Sequence, residues 1–181
     1  MRAFISIGLP DDIRADVFHT FEKLSSSGLV LGNFVDKSNL HLTLKFLGEI
    51  TESQAIDVES KLNEINFSNF GLSLGDFGFS PSENHIKIIW VELVGEGLVD
   101  LHKEIDEKLS ELGFITTHKE FVPHLTIARV KEIRNKDLFN EKLKKIHLKK
   151  KSFAIEGFDL MKSELMREGP VYKNICEFRF G

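Results

Sequence analysis

The sequence has little of several residue types on which common kinds of function depend. Among its 181 residues there is one cysteine, Cys176, so the chain can form neither an internal disulfide nor a zinc site built from cysteines. Cys176 lies in an apolar run and is expected to be buried as a small hydrophobic residue. Lys and Arg number 24 against 28 Asp and Glu, and the resulting formal net charge of −4 excludes a polybasic protein that holds nucleic acid by bulk charge.

The chain also lacks the long apolar runs that mark membrane-spanning and exported proteins. No run approaches the roughly 18 consecutive apolar residues of a membrane-spanning helix. The amino terminus has only a short apolar segment before Pro10, Asp11 and Asp12, and no small-residue cleavage site, which argues against a signal peptide. We therefore expect no membrane association, a cytoplasmic location and a monomer.

What is present is the composition of one globular domain. The chain is 41% hydrophobic and 29% charged, and its length corresponds to a single domain, residues 1–181, that can bury a core. Strand and helix patterns follow one another in mixed order, and pairs of strands joined by short turns indicate antiparallel pairing. The expected fold class is therefore α+β. The glycine-rich loops of dinucleotide-binding and P-loop proteins do not occur in the sequence.

One short motif occurs twice, as HLTL at residues 41–44 and as HLTI at residues 124–127. Side chains alternate along a strand, so each copy places its histidine and threonine on one face and its two aliphatic residues on the other. The copies lie about half a chain apart, so they can meet across a cleft with approximate two-fold symmetry. His41, Thr43, His124 and Thr126 would then face one space.

Two imidazoles and two hydroxyls in one cleft suit the chemistry of a phosphodiester. Near neutral pH one imidazole can act as a base while the other, protonated, acts as an acid. The hydroxyls can donate hydrogen bonds to phosphate oxygens. We predict His41 and His124 as catalytic residues and Thr43 and Thr126 as phosphate-binding residues, with no metal and no cofactor.

The five remaining histidines do not share this pattern, and we expect no functional role for them. Two of them fall in helices and are expected at the surface, His19 and His102. The other three lie near turns or helix ends: His85, His118 and His147.

The two motifs with their flanking residues, HLTLKFLG and HLTIARV, resemble the paired His-x-Thr motifs of the two-histidine (2H) phosphoesterases. More narrowly, nearly the whole chain resembles the bacterial and archaeal RNA 2′,3′-cyclic phosphodiesterases, formerly called 2′-5′ RNA ligases. The resemblance implies a bilobal α+β fold in which two antiparallel sheets line a central cleft and helices lie outside. It implies hydrolysis of RNA 2′,3′-cyclic phosphate ends to 2′-phosphomonoesters, and reversible 2′-5′ joining of RNA ends in some members.

The same resemblance implies roles for individual residues. His41 would protonate the departing 3′ oxygen and His124 would assist the attacking water. Arg129 matches a phosphate-binding arginine, and Phe46 matches an aromatic residue that contacts the nucleobase. Regular alternation places both of these opposite their histidines, so each strand would need a bulge or a strong twist. On a regular strand Lys45 instead shares the face of His41 and could attract phosphate.

Three other functions stay open from the residues alone. A metal-dependent hydrolase would use His41 and His124 as ligands, although neither motif has a carboxylate or a further histidine at ligand spacing. A non-catalytic nucleotide- or RNA-binding module would retain the cleft without the chemistry. A phosphodiesterase for 2′-5′ oligonucleotides or small cyclic nucleotides would use the same residues on a different substrate.

Overall fold

The structure is a computed structural model that describes residues 1–116, 121–166 and 169–181. Helices and strands alternate in mixed order along these ranges, which confirms the α+β class. The helices are α1 (Asp11–Ser25), α2 (Glu52–Leu62), α3 (Leu98–Ser110) and α4 (Lys136–Leu143), with a short 3₁₀ helix at Lys37–Asn39. The strands are β1 (Arg2–Gly8), β2 (Val30–Phe34), β3 (His41–Glu49), β4 (Phe70–Ser82), β5 (His85–Val94), β6 (His124–Ile133), β7 (Ser152–Ile155), β8 (Gly157–Met166) and β9 (Gly169–Arg179).

The strands within the described residues hydrogen-bond into one antiparallel sheet. Their order is β7-β4-β5-β6-β3-β1-β8-β9, and β2 pairs with β6 beside this path. The two halves of the sheet meet where β3 pairs with β6 at Leu42 and Leu125. The separate sheets implied by the resemblance are therefore joined here into one, because the backbones of the two motif strands pair directly.

Helices α1 and α3 each bury one apolar stripe in a common core. In α1 the stripe consists of Ile13, Val17, Phe21 and Leu24, and in α3 it consists of Leu98, Leu101, Ile105 and Leu109. The motif leucines Leu42 and Leu125 join the same core and are almost fully buried. Because strand side chains alternate, burial of these leucines turns the motif histidines and threonines to the opposite face of the sheet. No helix in the described parts of the chain is long and apolar enough to cross a membrane.

A β-bulge follows the threonine of the first motif strand. Ser6 of β1 pairs with Thr43, whereas the preceding residue, Ile5, pairs with Lys45, so Leu44 is an extra residue in β3. An extra residue shifts the alternation of side chains by one position. Phe46 therefore lies on the face of the histidine, and Lys45 turns toward the interior.

The second motif strand contains a bulge at the corresponding position. Trp90 of β5 pairs with Thr126, whereas Ile89 pairs with Ala128, so Ile127 is the extra residue in β6. This shift brings Arg129 to the face of its histidine. The burial patterns of β3 and β6 agree at each of the nine positions of β3, which shows that the two strands are locally equivalent.

Cys176 is partly exposed and not buried as the sequence analysis expects. It lies on β9, the last strand in the order of the sheet, where one flank has no neighbouring strand among the described residues. Its Sγ is 3.5 Å from Oε1 of Glu59. Partial burial raises the pKa of the Cys176 thiol, and the hydrogen bond to the Glu59 carboxylate raises it further.

Candidate active site

The residues predicted for the site line one cavity of about 1340 Å³. Four of them come from the two His-x-Thr motifs and two from the positions beyond the bulges: His41, Thr43, Phe46, His124, Thr126 and Arg129. The bulges supply the change of face that regular alternation does not. The structure therefore brings all six predicted residues to one cleft.

Both histidines are held by a backbone carbonyl two residues earlier in the chain. Nδ1 of His41 is 2.7 Å from the carbonyl oxygen of Asn39, and Nδ1 of His124 is 2.7 Å from that of Val122. A carbonyl oxygen can only accept, so each Nδ1 carries a proton and donates it. Nε2 is then the atom that gains or loses a proton on each ring. Nε2 of His41 also lies 3.0 Å from Oγ1 of Thr43.

Aromatic side chains surround His41. The rings of Phe4 and Tyr172 each lie 5.1 Å from the imidazole, between ring centroids. Burial lowers the pKa of His41, and the hydrogen bond to the Asn39 carbonyl raises it in part. These surroundings therefore favour the neutral form of His41 over the protonated form.

Tyr172 and Asn39 belong to the site but carry no sequence signal that identifies them as site residues. Asn39 accepts a hydrogen bond from His41, and its side-chain amide donates to the carbonyl oxygen of Pro170 at 2.9 Å. It thus joins the first histidine to the hairpin of β8 and β9, which carries Tyr172. Burial raises the pKa of Tyr172, and the positive charge of Arg129 opposes this rise.

Lys45 is among the residues that line the cavity, but it does not lie on the face of His41, so the prediction that it shares that face is wrong. The bulge at Leu44 turns its side chain inward, where only 5% of it is exposed. Its ammonium contacts the Asp106 carboxylate and lies 2.5 Å from Oγ1 of Thr116. Burial raises the pKa of Asp106, but the hydrogen bonds from Lys45 and Thr116 outweigh it, and the net result is a lowered pKa.

His102 lines the cleft, which corrects the prediction that it lies at the surface. It projects from α3, the helix that the contact between Asp106 and Lys45 holds against β3. Its imidazole stacks on Phe121 with a centroid distance of 3.9 Å and an interplanar angle of 11°. His118 lies outside the described residues.

The residues that the structure describes offer no cluster of three or more His, Cys, Asp or Glu arranged to hold a metal ion. What the cleft does contain is a set of hydrogen-bond donors and one guanidinium on a shared face. Two hydroxyls can donate to phosphate oxygens, and a guanidinium can engage two oxygens at once. Two imidazoles, each with Nε2 as the titrating atom, can accept and release protons.

Comparison with known proteins places the repeat in a family. The sequence pattern of the LigT like Phosphoesterase family matches this chain twice in succession, over residues 7–90 and over residues 91–172. The chain belongs to this family. Each matched segment contains one His-x-Thr motif, so the repeat visible in the sequence coincides with the two matches. The family resemblance inferred from the motifs is confirmed.

Individual relatives agree with this assignment. The chain is 37% identical over 180 residues to the RNA 2′,3′-cyclic phosphodiesterase of Methanocaldococcus jannaschii, a comparison that covers 98% of this chain and 100% of the relative. A crystal structure of a Thermus thermophilus protein matches with a TM-score of 0.85 and 27% identity over 99% of this chain and 98% of the other. The fold also resembles that of Escherichia coli LigT complexed with 3′-AMP, with a TM-score of 0.77 and 24% identity over 99% and 97% of the two chains.

Proposed function

We propose that this protein hydrolyses 2′,3′-cyclic phosphates at RNA ends to 2′-phosphomonoesters by acid–base catalysis without a metal. The observation that carries the proposal is the cavity in which two carbonyl-held imidazoles, two hydroxyls and one guanidinium share a face. Relatives that extend over nearly the whole chain are RNA 2′,3′-cyclic phosphodiesterases, which supports the same substrate class here.

Binding of the cyclic phosphate requires positive charge in the cleft, since the protein as a whole carries a net charge of −4. Arg129 supplies this charge and can engage two phosphate oxygens at once. Thr43 and Thr126 donate hydrogen bonds to the non-bridging oxygens. Phe46, which occupies in β3 the position that Arg129 occupies in β6, contacts the nucleobase.

The reaction exchanges one bond to phosphorus for another. His124 Nε2 takes a proton from water as the water oxygen bonds to phosphorus, and His41 Nε2 gives a proton to the 3′ oxygen as its bond to phosphorus breaks. Protonation of His41, which burial disfavours, is promoted by the negative charge of the bound phosphate. The product carries a 2′-phosphate and a 3′ hydroxyl. A 5′ hydroxyl of a second RNA in place of water would form a 2′-5′ linkage by the same exchange.

The proposal includes a pseudo-two-fold relation between two lobes of a single domain, residues 1–181. The matching burial patterns of β3 and β6, their equivalent bulges and the two successive family matches support it. A monomeric state and a cytoplasmic location stay predictions from the sequence.

The test is a comparison of substrates with one purified, chelator-treated preparation. We expect turnover of RNA ending in a 2′,3′-cyclic phosphate, with a 2′-phosphate product, to exceed turnover of 2′-5′ dinucleotides and of small cyclic nucleotides. Preferential cleavage of the 2′-5′ dinucleotide would show that the substrate assignment is wrong. Failure to turn over any of the three, both before and after zinc or manganese is added back, would favour the non-catalytic binding module.

A further inference from the structure

The two ends of the catalytic cleft differ in chemistry. β3 and β6 are antiparallel about the pair of Leu42 and Leu125, so residues beyond Thr43 run toward the residues that precede His124. Residues beyond Thr126 run in the same way toward those that precede His41. One end of the cleft therefore receives Phe46 and the other receives Arg129.

The end that receives Arg129 holds charged and amide side chains beside apolar side chains of β2 and β5. Arg129 pairs across the sheet with Asn33 of β2, and both line the cavity together with Asp36 and Asn39. This end suits phosphate and ribose oxygens, which bind guanidinium and amide donors.

The opposite end, which we call the aromatic end, consists of Phe46, His102, Ile115 and Phe121. Phe46 is 71% exposed and Ile115 is 76% exposed, although both are large apolar side chains. The cation next to Phe46, Lys45, is already compensated by Asp106. The aromatic end therefore offers flat apolar surface beside a cation whose charge is neutralised.

His102 and Phe121 give this end a wall whose rings are already parallel, 3.9 Å apart at an angle of 11°. Burial lowers the pKa of His102, the charge of Asp106 raises it and the charge of Lys45 lowers it, so the net direction favours a neutral imidazole. A neutral ring backed by a second ring is a suitable surface for a flat aromatic ligand. Stacking of this kind is how proteins commonly hold single-stranded bases.

We propose that the imidazole of His102, backed by Phe121, stacks on the nucleobase of the nucleotide that carries the cyclic phosphate, which the proposed function already places at Phe46. This inference rests on the proposed function, because the phosphate must lie between the two threonines for the base to reach the aromatic end. The cavity of about 1340 Å³ exceeds the range of about 300–1000 Å³ that encloses most small ligands, so it has room for phosphate, ribose and base. His102 is then a determinant of substrate specificity.

The experiment compares two RNA substrates that differ only in the terminal base. Both end in a ribose 2′,3′-cyclic phosphate, but in the second substrate the terminal ribose has no base. We expect His102→Ala to lower kcat/KM about tenfold on the substrate with the base, as loss of one stacking partner does, and to leave the abasic substrate unchanged. His102→Phe, which keeps an aromatic ring on Phe121, should restore most of the loss. His19→Ala, an exposed histidine of α1 outside the cavity, is the matched control.

An equal loss on both substrates would overturn the inference, because His102 would then act through the fold or the catalytic groups. No loss on either substrate would overturn it as well. Calorimetry can measure the affinities for adenosine 2′-monophosphate and for ribose 2-phosphate, which lacks the base. The difference between these affinities tests the contribution of the base without requiring turnover. The wild-type protein could bind adenosine 2′-monophosphate more tightly than ribose 2-phosphate, and His102→Ala could abolish this preference, while neither RNA is turned over. That result would support the subsite and refute the proposed function.

Discussion

Replacement of Arg129 tests the link between the β-bulge and catalysis most directly. On a regular strand Arg129 would face away from both histidines, and the extra residue Ile127 brings it to the cleft. If its guanidinium binds the phosphate in the transition state, Arg129→Ala removes at least one charge-assisted hydrogen bond. Such a bond contributes about 1.5–3 kcal/mol, which corresponds to a loss of roughly ten- to a hundredfold in kcat/KM.

The assay is steady-state hydrolysis of an RNA 2′,3′-cyclic phosphate. Arg129→Lys should recover only part of the loss, because an ammonium keeps the charge but cannot engage two oxygens in the planar geometry of a guanidinium. Arg134→Ala is the matched control, since Arg134 lies just beyond the end of the same strand and does not line the cavity. An Arg129→Ala protein with unchanged kcat/KM and unchanged stability would refute the reasoning, and the charge at the phosphate would have to come from another residue.

The other predictions concern the catalytic pair, the pH profile and the buried ion pair. His41→Ala and His124→Ala should each lower turnover by several orders of magnitude, and the double variant should be little slower than the slower single variant. Near-normal turnover by either single variant would contradict the paired roles of acid and base. Wild-type turnover should survive exhaustive treatment with EDTA, whereas recovery on adding zinc or manganese would indicate a metal hydrolase. Burial lowers the pKa of His41, and its role as the acid requires the protonated ring. As the pH rises, kcat/KM should therefore begin to fall at a pH below about 6.5, the ordinary pKa of histidine. A flat profile between about pH 5 and 8 would exclude that role. Asp106→Asn should lower the free energy of unfolding, measured by urea titration, by about 2 kcal/mol. This loss is smaller than that expected for a fully buried ion pair, because the side chain of Asp106 is 31% exposed. Adding Lys45→Met to Asp106→Asn should restore part of the lost stability.

Local patterns in the amino-acid sequence were sufficient to predict the class of fold and the centre of the site. Alternation along a strand is a local property, so the HLTL and HLTI motifs place each histidine beside its threonine whatever lies around them. The recurrence of the motif after about half the chain was enough to predict that the copies face one another. Burial of Leu42 and Leu125 confirms the side chains that were expected to anchor the two copies.

The positions of the remaining site residues depend on how distant segments pack together. A bulge exists between two strands, so the pairing of β1 with β3 and of β5 with β6 set the faces of Phe46 and Arg129 and turned Lys45 inward. His102 reached the cleft because α3 packs on β3, and Tyr172 reached His41 through a hairpin far along the chain. The joining of the expected two sheets into one likewise depended on a backbone contact between β3 and β6. No local pattern of side chains encodes these placements, because each of them is set by a partner segment many residues away.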